Sequence, residues 1–178
     1  MKSSQKASGV GALLLALSFV LLIVGNVVVP QSLGVESASR IVGLIQILFA
    51  VAFTLTAPGL NDRLQESSPN LMRIATASGL GAAVLFLATG MFNFGVPPAA
   101  VGDVGTALIR ASIFAAGWWA LLASWAGLQG GLPRILSYLG VLFGAAGILS
   151  FAITPLNPIG ALLGIVWSAW LGMVLLRS

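Results

Sequence analysis

The chain has 178 residues and contains neither cysteine nor histidine. Without cysteine there are no disulfides, thiolate nucleophiles, cysteine-ligated metals or iron–sulfur clusters. Without histidine the commonest general base, the usual haem ligand and the commonest metal ligand are gone. Charge is scarce as well: 7% of residues are charged, against about 25% in a soluble domain. The carboxylates are Glu36, Asp62, Glu66 and Asp103, four in all. Eight Lys and Arg give a net charge of +4, but they are scattered, with no basic run to meet a nucleic acid. No metal, no cofactor and no nucleic-acid partner is therefore expected. What fills the chain is apolar: 58% of residues are hydrophobic, too many for the surface of a water-soluble fold. An integral membrane protein follows, with the lipid bilayer as its first partner.

A helix needs about 20 mostly apolar residues to cross the hydrocarbon core. Six segments qualify: Val10–Val29, Ser37–Ala57, Leu71–Met91, Gly105–Leu128, Ile135–Ala152 and Pro158–Leu176. The fifth is short unless Leu132 to Arg134 are counted with it. The runs are continuous and do not alternate, which predicts helices and not barrel strands. Turn chemistry separates them. Pro30-Gln31-Ser32, Pro58 to Asp62, Asn93 to Asp103, Gln129 to Pro133 and Thr154 to Pro158 are read as the five breaks. All are short, so neighbours should pack antiparallel. The expected fold is all-α: residues 1–178 form a single domain of six transmembrane helices.

With the N-terminus inside, Lys2, Lys6, Arg63, Arg73, Arg134 and Arg177 fall on the cytoplasmic side, and only Arg40 and Arg110 outside. The positive-inside rule then places both termini in the cytoplasm of a cell whose cytoplasmic (inner) membrane holds the protein. The first span is too long for a signal-peptide core and lacks an A-x-A site, so it is read as a retained signal-anchor helix.

Ala7 to Leu17 lies over Ala77 to Leu87 at an offset of 70 residues, with seven identities in eleven positions, and Arg40 lies over Arg110 at the same offset. Either a two-helix hairpin is duplicated, giving parallel repeats, or apolar low-complexity sequence has matched by accident.

Small residues are spaced for helix contact. Gly160, Gly164, Ser168 and Gly172 fall on every fourth position of the last span, and Gly140 and Gly144 are paired one span earlier. Such stripes let backbones approach closely in lipid. They serve packing within the bundle, or a homodimer or partner-subunit interface. Trp118, Trp119, Trp167 and Trp170 lie deep in spans four and six, as core filler or as walls of an aromatic pocket. Trp125 fits an interfacial belt. Intramembrane polar residues are few: Gln46, Thr54, Thr76, Ser112, Ser124, Tyr138 and Ser150, with Asn26 and Asn93 near the outer ends. No carboxylate lies deep in a span, which disfavours a proton-coupled carrier. No serine has a base to activate it, so no enzyme is expected. Arg40 and Arg110 stand against the positive-inside pattern. They snorkel or pair locally, Arg40 with Glu36 one turn before it, or they hold one anionic group between them.

The stretch Gly131-Leu132-Pro133-Arg134-Ile135-Leu136, then Gly140, then Ile165-Val166-Trp167 through Arg177, resembles a family of bacterial six-span membrane proteins known as a domain of unknown function. That resemblance implies a bacterial cytoplasmic-membrane protein and lends no site residues. Two functions remain from the residues themselves. One is a non-catalytic accessory subunit that binds a protein partner; the other is a small carrier or binder of a lipid or of an apolar or anionic ligand.

Overall fold

The computed structural model describes residues 3–27, 29–153 and 156–177. Among them there are helices, turns and no strand. The helices are α1 (Ser3–Val27), α2 (Val29–Leu33), α3 (Val35–Leu64), α4 (Pro69–Gly95), α5 (Pro98–Gln129), α6 (Arg134–Leu149) and α7 (Asn157–Arg177). Five of them, α1, α3, α4, α5 and α7, contain stretches long and apolar enough to cross a membrane. The short α2 is a single helical turn where the sequence suggests only a break at Pro30.

Three boundaries differ from those the sequence suggests, each for a physical reason. Pro58 does not end its helix, because α3 continues to Leu64. Pro58 is exposed, so its missing N–H loses one ladder bond on the outer face, while Ala57, Leu60 and Leu64 are fully buried on the inner one. The segment Asn93–Asp103 is mostly helical, broken only around Val96 and Pro97 and kinked at Gly102. Gly102 has φ +43° and ψ −141°, a conformation that only a residue without Cβ takes easily. The fifth apolar segment is helical only over the 16 residues of α6, about 24 Å of rise against a hydrocarbon core of about 30 Å. Ser150 closes it: its N–H bonds Ala146 O at 2.9 Å and its Oγ donates to Gly147 O at 2.7 Å.

The five long helices and the shorter α6 form a closed ring. Each packs on the next in chain order, and α7 returns against α1. Alternating directions put Ser3 and Arg177 at one end of the bundle, here the terminal end; the other is the distal end. The ring thus consists of three hairpins, α1/α3, α4/α5 and α6/α7. Glycines draw the seams between hairpins tight. A Cβ on Gly43 of α3 would lie 2.9 Å from the Gly90 carbonyl of α4, and one on Gly144 of α6 would lie 2.7 Å from the Gly117 carbonyl of α5. At the α7/α1 seam a Cβ on Gly172 would stand 3.0 Å from Gly9 O. In lipid, where burial of apolar surface drives little, such close van der Waals approach is what holds helices together.

Candidate functional site

Seven aromatic rings close a circuit through the middle of the bundle, and every spanning helix contributes to it. Phe19 of α1 meets Phe49 of α3 edge-on at 4.8 Å, and Phe49 stacks on Phe86 of α4 at 5.0 Å. Phe86 stacks on Phe53, one turn along α3, at 5.7 Å, and Phe53 meets Trp119 of α5 edge-on at 5.0 Å. Trp119 meets Trp167 of α7 at 5.4 Å, Trp167 meets Phe143 of α6 at 5.6 Å, and Phe143 returns to Phe19 at 5.6 Å. Each such pair is worth about 0.5–1.5 kcal/mol beyond its buried area, so the circuit fixes the ring of helices from within.

The circuit does not fill its own centre. A cavity of about 230 Å³ lies among its five phenylalanines. All six helices of the ring line it, Ile113 facing it from α5 and Gly160 from α7. Its distal edge is formed where α6 stops short, by Ser150, Leu156 and Asn157. No charged side chain lines it. The polar groups on its wall are Asn26, Gln46, Ser150 and Asn157. Asn26 Nδ2 donates to Leu22 O at 2.8 Å, a bond within its own helix. Gln46 Oε1 accepts from Asn93 Nδ2 at 2.8 Å, which ties α3 to α4 beside the cavity. An uncharged, largely apolar chamber with a few polar groups on its wall is suited to holding a small apolar molecule.

The two arginines singled out by the sequence are not brought to this cavity or to each other's groove. Arg40 is exposed on α3 and bonds Glu36 at 2.8 Å. The groove it lines is walled by Glu36, Ser39 and the stretch Asn93 to Pro97, without Arg110. Arg110 is exposed on α5, and α4 packs between α3 and α5 along most of their length. Arg40 pairs with Glu36, and Asp103 does not lie within ion-pair distance of Arg110.

The small-residue positions face inward. A Cβ on Gly164 would lie 2.7 Å from the Phe19 ring and 3.0 Å from Phe143, and one on Gly172 would lie 2.8 Å from Leu13. Ser168 is buried and its hydroxyl donates to Gly164 O. Gly160 is looser: the nearest atom to an added Cβ is Ala146 Cβ at 3.8 Å. Gly140 lies against Ser124 Oγ and Trp167 Nε1, and Gly144 against the backbone of Leu121.

Of the tryptophans, Trp119 and Trp167 are fully buried, and they stand behind Phe53 and Phe143 and do not line the cavity. Trp118 and Trp125 face outward, 39% and 55% exposed. The phenylalanine walls leave little trace in the sequence, because a Phe within a long apolar run carries no contrast. The one signal was the helical spacing of Phe49 and Phe53, with Gln46 one turn before Phe49 and on the same face. No family model, curated protein or solved structure matches the chain.

Proposed function

We propose that this chain is a non-catalytic, multi-pass membrane protein that binds an uncharged apolar ligand in its central cavity. The observation that carries the reading is the cavity itself: about 230 Å³, walled by five phenylalanines and free of charged side chains. A packed bundle has no need of such a space, since unfilled volume forfeits contacts and destabilises the fold. A chamber of about 150 Å³ lined by apolar side chains stays dry and takes up benzene, so this one is large enough for a ring-sized molecule. The absence of charge on the wall argues for a neutral ligand over an anionic one. The inward-facing small residues favour ligand binding over the accessory-subunit reading, since Gly164 and Gly172 are covered by Phe19, Phe143 and Leu13 of the same chain. Ser150, the cavity's serine, bonds a backbone carbonyl and has no base beside it, which supports a binder and not a hydrolase.

The bacterial cytoplasmic membrane and cytoplasmic termini belong to the same proposal, on the strength of the arginines and lysines gathered at the terminal end. The ligand itself is tested by native mass spectrometry of protein extracted in mild detergent. Wild type should retain an apolar molecule at one per chain. Ala161→Phe, which places a ring at a position lining the cavity, should lose it. A wild-type spectrum without bound mass, or one that the substitution leaves unchanged, would contradict the proposal.

A further inference from the structure

Gln46 offers the cavity a hydrogen-bonding capacity that the protein itself leaves unused. It lines the cavity from α3 and is 1% exposed. Asn93 Nδ2 holds its Oε1 at 2.8 Å, which fixes one side of the amide. Its Nε2 carries two N–H donors and has no partner. The neighbouring polar groups differ in this respect. Ser150 Oγ donates to Gly147 O and one N–H of Asn26 Nδ2 to Leu22 O, and Asn26 and Asn157 are exposed, where water can serve their remaining donors. A buried amide donor without an acceptor is costly, and a ligand that brings the acceptor recovers that cost.

We infer that the cavity's ligand is an uncharged ring-bearing molecule with a carbonyl oxygen, and that Gln46 Nε2 donates to that oxygen. This rests on the apolar-ligand reading above and adds its chemistry. The ring follows from the walls: Phe19, Phe49, Phe53, Phe86 and Phe143 line the cavity, and aromatic side chains pack favourably against a planar unsaturated ring, face or edge. The carbonyl follows from the donor, with no cation on the wall to call for an anion. Nε2 is shielded from water as it stands. Donation to a ligand therefore requires the glutamine's last torsion, which is soft, to turn when the ligand binds. Lipid-soluble quinones of the membrane and freely diffusing aromatic ketones share this chemistry.

The test uses the full chain in detergent, with 1,4-naphthoquinone as probe and naphthalene as the analogue without carbonyls, each measured by equilibrium dialysis. Partitioning into detergent is common to wild type and variant and cancels in the comparison. The naphthoquinone-to-naphthalene affinity ratio should fall about tenfold in Gln46→Leu, the loss of one hydrogen bond. An unchanged ratio, with both probes bound, overturns the inference while leaving the apolar-ligand reading intact. Failure of wild type to bind either probe overturns both. If Gln46→Leu does not fold, the infrared carbonyl stretch of naphthoquinone bound to wild type decides the matter. A shift to lower frequency relative to detergent supports the hydrogen bond, and an unshifted band overturns it. A prenylated naphthoquinone identifies the source. Tighter binding than the bare ring, still dependent on Gln46, supports the contact with a membrane lipid as ligand; weaker binding with the same dependence supports it with a free molecule. Binding of the prenylated form that ignores the substitution counts against the contact.

Discussion

Gly164 has no room for a methyl group. An added Cβ would press on the Phe19 and Phe143 rings, both members of the aromatic circuit, so any shift there propagates around it. Gly164→Ala should therefore lower stability by about 1–3 kcal/mol, the usual range for overpacking. Gly160→Ala, four residues earlier on the same face, meets Ala146 only at 3.8 Å and should be neutral or mildly stabilising, since Ala is the better helix former. Thermal unfolding of the two variants in detergent checks the contrast, and equal midpoints would mean that the spacing is incidental. The stripe could be read in the sequence because small residues every fourth position stand out among Leu and Val. The cavity could not, since its walls are Phe among other apolar residues and its one unusual polar residue, Gln46, looks the same on a helix surface as in a chamber. The arginines show the opposite limit. Their charges stand out, but matching positions in the chain are no guide to which helix separates them, and here α4 does.

At the level of elements, the number and order of the helices in the ring follow from the apolar runs, while their ends, and the shortness of α6, do not. Pro58 lies inside α3 because the residues around it are buried on the far face, and α6 ends at Leu149 although apolar sequence continues to Ala152. The apparent repeat shows the same limit. Ser8 donates to Leu55 O and Ser78 to Ala115 O, each to the following long helix, at separations of 47 and 37 residues. A duplication keeping the 70-residue offset in its packing would have put the second acceptor at Trp125. The ten-residue slip is about 15 Å along a helix, so the hairpins recur in the ring without recurring in register. Alternation of the helices also makes a prediction. Reporter fusions after Ser67 and Gly130 should fall on one side of the membrane and those after Gly34 and Ile153 on the other. Under the orientation proposed above from the Lys and Arg distribution, the first pair is expected in the cytoplasm. A fusion after Gly34 on the same side as one after Gly130 would remove the ring of alternating spans.

Over the whole molecule, three hairpins close into a ring through glycine seams, and seven aromatic side chains close a second ring inside it. Close backbone contact at Gly43–Gly90 and Gly117–Gly144 draws the helices together, while the stacked and edge-on rings hold them apart at the centre. The cavity lies where these two demands meet, and the shortness of α6 leaves its distal edge to a turn instead of a helix. Xenon tests that chamber without assuming any ligand, because the gas collects in apolar cavities. Crystals grown from a lipidic phase and pressurised with xenon should show an anomalous peak among Phe19, Phe49, Phe86 and Phe143. Peaks confined to the outer, lipid-facing grooves, with none inside the aromatic ring, would contradict the account.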